Sequence, residues 1–82
     1  MNDVATRLTA CFAGVFPSHS SDMLRSGSIN TIEGWNSLAM IQLIVAIEEE
    51  FAVRFNLEDA ANLTSFSQFL AYVQQHSAKD PQ

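Results

Sequence analysis

The stretch Asn36-Ser37-Leu38-Ala39-Met40-Ile41-Gln42-Leu43-Ile44-Val45-Ala46-Ile47-Glu48-Glu49-Glu50-Phe51 decides how this chain folds. Its apolar residues Leu38, Ile41, Leu43, Ile44, Ile47 and Phe51 cover a broad face over about four turns of roughly 3.6 residues each, which predicts a helix over 37–51. Asn36 is a good N-cap, because its short side chain can accept from a free N–H of the first turn. Gly34 permits a tight chain entry. Glu48, Glu49 and Glu50 gather at the far end, where acids oppose the helix dipole by roughly 0.3 kcal/mol or more each. Two readings stand for them. One is a solvated helix end; the other, favoured by that costly placement, is a docking surface.

Working outward, Val4, Leu8, Cys11, Phe12 and Val15 fall on one helical face and predict a helix over 3–16. Asn2 or Asp3 can cap it and Pro17 stops it. Cys11 lies on the apolar stripe and is expected to be a small core residue. Residues 17–34 are rich in Ser, Gly, Asn and Asp and predict a long surface connection, with a short turn around Ser21 to Leu24. Ile29 and Ile32 are expected to pin it to the core. After the decisive helix, Phe51-Ala52-Val53-Arg54-Phe55 alternates, but no second strand candidate exists to pair it. An extended connector that plugs the core with Phe51, Val53 and Phe55 is expected. A short helix over 57–62 carries Glu58 and Asp59 in its first turn. Ser65-Phe66-Ser67-Gln68 matches a capping box for a helix over 65–76, with Phe66, Phe69, Leu70 and Val73 inward and Tyr72 at the edge. Residues 77–82 are expected to fray. The fold class predicted is all-α: one domain over 1–82, a small four-helix bundle of three main helices and one short helix, with a long first loop.

Composition narrows the function. The chain has 82 residues, 48% of them apolar and 16% charged. That suffices for a core but leaves little room for a deep cleft, favouring a binding or carrier module over a catalyst. Four basic residues against nine acidic ones cannot supply a nucleic-acid surface. The net charge of −5 arises entirely within residues 33–59. No window approaches the ~20 apolar residues of a membrane span, so no membrane partner is expected. The N-terminal stretch lacks a basic segment followed by an apolar run, so no signal peptide is expected. One cysteine and two distant histidines give no disulfide and no metal site. A cytoplasmic monomer fits these features.

Ser37 stands out, at the first predicted helical position. There its hydroxyl lies near free N–H groups and a positive dipole end, a setting that stabilises an attached phosphate. No histidine or acid lies at a readable nucleophile–base spacing, so it is a poor hydrolase serine. It is either a helix-end residue or the acceptor of a phosphate-linked group. The run Gly34-Trp35-Asn36-Ser37-Leu38, then Leu43, Ile44, Ile47-Glu48-Glu49-Glu50-Phe51 and Val53, then Glu58-Asp59, Leu63-Thr64, Phe66 and Phe69-Leu70, resembles the acyl carrier protein family over residues 3–75. The resemblance implies that Ser37, flanked by Asn36 and Leu38, carries 4'-phosphopantetheine installed by a phosphopantetheinyl transferase. Its thiol would hold an acyl group as a thioester for delivery to partner enzymes, and the carrier itself would be no enzyme. It also implies a partner face of Leu38, Val45, Glu48 and Glu49 that meets acyl-loading and acyl-transfer enzymes through their basic docking surfaces. An acyl chain would shelter among Leu43, Ile47, Leu63 and Phe66, which are otherwise ordinary core.

The chain departs from the family pattern in places. Asn36 stands where the family has Asp, and Ala39 and Gln42 where acids are common. Trp35 replaces a small or acidic residue and is expected to anchor the loop over the bundle. The Trp35-Asn36-Ser37-Leu38 form looks like carriers of specialised lipid, polysaccharide or secondary-metabolite pathways rather than the housekeeping fatty-acid carrier. An unmodified helical interaction module with a degenerate carrier fold is the alternative.

Overall fold

The computed structural model describes residues 3–77. Five helices follow in order: α1 Val4–Val15, α2 Ser21–Arg25, α3 Ser37–Phe51, α4 Leu57–Ala61 and α5 Phe66–Ser77. The all-α class is observed, with three long helices. In the first loop the turn expected around Ser21 to Leu24 is a second short helix, α2, which makes five helices among the described residues. Ser20 caps α2, its Oγ accepting from the Met23 N–H at 3.2 Å. Five residues are too few for a helical period to show in sequence. The frayed tail expected for 77–82 falls, beyond Ser77, outside the described residues.

Local chemistry sets the helix ends. Asp3, not Asn2, caps α1: its Oδ1 accepts from the Thr6 N–H at 2.8 Å. That hydrogen bond holds the Asp3 carboxyl below its ordinary pKa, because it favours the charged form. α3 ends at Phe51, inside the helix rather than in the connector, and Ala52 takes a left-handed conformation at φ 56°. A side chain there costs about 1–2 kcal/mol that a glycine avoids. The expected capping box is only half formed. Ser65 Oγ accepts from the Gln68 N–H at 3.2 Å, but Gln68 Oε1 accepts from the Thr64 N–H at 2.6 Å instead of reaching back to Ser65. The first loop also pairs with this helix start. Ser28 and Ser65 form an isolated antiparallel bridge, with the Ile29 N–H donating to Thr64 O at 2.8 Å and the Phe66 N–H to Gly27 O at 3.2 Å.

Phe12 is the hub of the core. Phe66, Trp35, Phe69 and Phe16 surround its ring at centroid distances of 5.0, 5.6, 5.7 and 6.3 Å. Three of the four meet it edge to face, which adds about 0.5–1.5 kcal/mol per pair to the burial itself. α3 contributes Ala39, Leu43, Ile47 and Phe51, a narrow stripe at intervals of four. Leu38 and Ile41 therefore do not belong to the inward face, contrary to the broad apolar face expected. Ile32 is buried as expected, but Ile29 is 39% exposed, so one isoleucine pins the loop rather than two. Cys11 is only half-buried, beside α3, with its thiol 3.9 Å from Ala46 O. Burial first, and Glu50 second, push its pKa up.

Candidate functional site

The approach to α3 is fixed from both sides of Ser37. Gly34 turns at φ +93°, a conformation that side chains rarely adopt. Trp35 then drops into the core, 5% exposed, against Phe12, Phe16 and Phe69. Its indole N–H meets no acceptor among the described residues. Asn36 is extended, and its Oδ1 accepts from the Ala39 N–H at 3.0 Å while its carbonyl accepts from the Met40 N–H at 2.9 Å. An anchored residue, a cap and a permissive turn thus hold the helix start in place.

Ser37 is the first residue of α3 and is exposed. With Ala39 and Met40 bonded to Asn36, the N–H groups of Ser37 and Leu38 are the ones in the first turn that donate to nothing among the described residues. Two free donors and the positive end of a fifteen-residue helix surround the hydroxyl. An anion attached there would be stabilised. Beside Ser37 lies an open depression lined by Ile29, Asn36, Met40 and Ile41. Leu38 projects outward, 64% exposed, and Val45 is 47% exposed. The residues that line the depression carry no charge.

The other expected site residues are distributed differently. Leu43, Ile47, Leu63 and Phe66 all lie in the continuous core, and none lines the depression beside Ser37. Of the acidic run, Glu48 Oε2 accepts from the Phe55 N–H at 3.0 Å and so ties down the connector after α3. Glu50 pairs with Arg7 at 2.7 Å, and its carbonyl accepts from the same guanidinium at 2.7 Å. Arg7 also lies 4.6 Å over the Phe51 ring. A cation is thus brought from α1 to the negative end of α3, offsetting the dipole penalty that the acids incur. Among the described residues, Glu49 alone of the three makes no such bond. Ile41 and Ile29 were not singled out for the site. Ile41 falls on the outer 38-41-45 stripe because Ala39, Leu43, Ile47 and Phe51 take the inward face.

A larger concavity runs between α1 and α3, past Ala10, Cys11, Gly14 and Ala46. Small side chains leave space between the two helices there, and Thr6, Arg7, Glu49 and Glu50 line it together with the Arg7–Glu50 ion pair. No helix among the described residues is long and apolar enough to cross a membrane.

Comparison with known proteins bears on the family. Residues 19–73 match the family model described as a phosphopantetheine attachment site. Over 75 residues the chain is 27% identical to acyl carrier protein 2 of Pseudomonas aeruginosa, covering 92% of this chain and 95% of that protein. Over 46 residues it is 39% identical to an acyl carrier protein of Trieres chinensis, covering 56% of this chain and 58% of the other.

Proposed function

The chain belongs to the phosphopantetheine-attachment family of acyl carrier proteins, which carry groups and do not catalyse, and from that premise we propose that Ser37 is its attachment residue. The observation that carries this reading is the exposed hydroxyl at the first position of α3, beside the two free N–H groups. In the loading step, Ser37 Oγ bonds to the phosphorus of the phosphopantetheine in coenzyme A. The pyrophosphate P–O bond breaks, adenosine 3',5'-bisphosphate leaves, and the serine proton passes to a base of the phosphopantetheinyl transferase. The bound group supplies a terminal thiol that holds an acyl chain as a thioester. Asn36 keeps the first turn wound, and Gly34 and Trp35 keep it in place.

Leu38, Val45, Glu48 and Glu49 are offered as contacts for partner enzymes, Leu38 and Val45 because both are exposed on α3. Leu43, Ile47, Leu63 and Phe66 would shelter an acyl chain only if the core parted around it. A specialised lipid, polysaccharide or secondary-metabolite pathway suits the chain better than housekeeping fatty-acid synthesis. Ala39 is buried, leaving no place for an acid there, and Gln42 is neutral.

Intact mass after incubation with coenzyme A and a broad-specificity transferase tests the assignment. One added phosphopantetheinyl group is expected on the native chain and none on Ser37→Ala. If two unrelated transferases add nothing, the chain is instead an unmodified docking module.

A further inference from the structure

Trp35 holds a hydrogen-bond donor that the folded chain does not use. The side chain is 5% exposed, and its Nε1 reaches neither solvent nor any acceptor among the described residues. A buried N–H left unpaired loses its hydration and gains nothing in return, and native interiors rarely contain one. Packing does not account for the nitrogen. Phe12, Phe16 and Phe69 meet the indole at centroid distances of 5.6, 5.8 and 6.1 Å, and a phenylalanine at this position would make similar ring contacts with no donor to satisfy. His19 Nδ1 is buried without a partner as well, and its ring packs on the same Phe16 at 6.2 Å. The surroundings of Phe16 are thus the part of this core with unused polar capacity.

The chemistry of the donor defines what it can bind. An indole N–H donates and cannot accept. An ammonium group brings only donors and does not fit. A carboxylate would lose its hydration among Phe12, Phe16 and Phe69, which carry no charge to compensate it. A hydroxyl, ether or carbonyl oxygen on an otherwise apolar chain meets both conditions. The position of the donor defines how such a group arrives. Trp35 lines neither the depression beside Ser37 nor the concavity between α1 and α3, and its nitrogen is closed to solvent, so the rings must part before an acceptor reaches it. A group tethered two residues away, at Ser37, is held at high local concentration for each such opening, and a free molecule is not.

Resting on the reading that Ser37 carries the phosphopantetheine arm, we propose that this carrier is selective for acyl groups bearing a neutral oxygen, and that the Trp35 Nε1–H donates to that oxygen inside the core. Trp35 is then a specificity-determining residue for the cargo. A saturated acyl chain of equal length buries similar apolar surface but leaves the donor unpaired, so it gains less by entering the bundle. The discrimination comes from the polar group that the wrong cargo fails to satisfy.

The test loads the full chain with octanoyl, 3-hydroxyoctanoyl or 7-hydroxyoctanoyl phosphopantetheine, using the matching coenzyme A thioesters and a broad-specificity transferase, and intact mass verifies each product. Trp35 is the only tryptophan, so its indole N–H gives a single proton–nitrogen NMR signal. At least one hydroxylated chain is expected to shift that signal downfield and to slow its exchange with solvent about tenfold relative to the octanoyl form. The same chain should raise the midpoint of thermal unfolding above that of the octanoyl form. Trp35→Phe, which keeps the ring packing and removes the donor, should erase that difference. If the variant fails to fold, the indole signal of the native chain decides alone. Equal signals for the octanoyl and both hydroxylated forms, or a thermal difference that persists in Trp35→Phe, overturns the proposal while leaving Ser37 as the acceptor. Failure of the native chain to take up any of the three groups removes both.

Discussion

The two ends of α3 are built from similar numbers of polar groups and put them to opposite uses. At the C-terminal end, Glu48 holds the Phe55 N–H, Glu50 holds Arg7, Arg7 covers Phe51, and Ala52 accepts a strained turn to bring Val53 inward. At the N-terminal end a single side chain, Asn36, caps the helix, and the side chains of Ser37, Leu38 and Ile41 make no hydrogen bond among the described residues and are exposed. The first end is fastened to α1 and the connector; the second is held by the Asn36 cap and, from behind, by Trp35. The difference teaches that two acids of the charge run, Glu48 and Glu50, also fasten the connector and α1. The quiet end holds the groups available for chemistry.

Substitutions can break that contrast. The largest effect is expected from Phe51→Ala, which empties a buried site beneath Arg7 and should lower unfolding free energy by about 3–5 kcal/mol in denaturant titration. Modification of whatever fraction stays folded should be unaffected. Arg7→Ala should cost about 1 kcal/mol, since the ion pair is well exposed and the remainder comes from the carbonyl bond and the ring contact. Asn36→Ala, at the other end, should also cost about 1 kcal/mol by loss of the cap, but it should slow modification of Ser37 as well. If Arg7→Ala slowed modification as much as Asn36→Ala did, the two ends would not be independent. Ala52→Gly should act in the opposite direction and stabilise by about 0.5–1 kcal/mol, because glycine tolerates the left-handed turn.

A final test concerns α1, which carries Arg7. The Asp3 carboxyl titrates lower in the folded chain than in the unfolded one, whose pKa is near 3.8. Its contribution to stability is therefore complete above that value and is lost as pH falls through the lower folded pKa. Asp3→Asn keeps a capping oxygen that does not titrate. Thermal unfolding of the two chains should match near neutrality and diverge below about pH 4, where the native chain should lose stability faster.

Much of this was legible locally. The caps Asp3 and Asn36, the turn at Gly34 and the inward Trp35 follow from single residues or short spacings, and so does Ser37 at the head of α3. What was hidden depended on distant partners. Nothing within the acidic run reveals that Arg7, forty-three residues away, reaches Glu50. Nothing in Ser65–Gln68 shows that Ser28 occupies the backbone beside Ser65. Ile29 lies in a loop that has no period to read, and for Ile41 hydrophobicity alone does not tell which of two stripes on a helix faces inward. Only the packing of Ala39, Leu43, Ile47 and Phe51 against the other helices decides that.

Trp35 is the only tryptophan in the chain, and it lies among Phe12, Phe16 and Phe69, two residues before Ser37. It makes the protein its own optical gauge. In the closed bundle its emission belongs to an indole shielded from water, and any event that parts those three rings shifts it toward the red. Light from one side chain can thus report whether a group attached at Ser37 stays on the surface or enters the core.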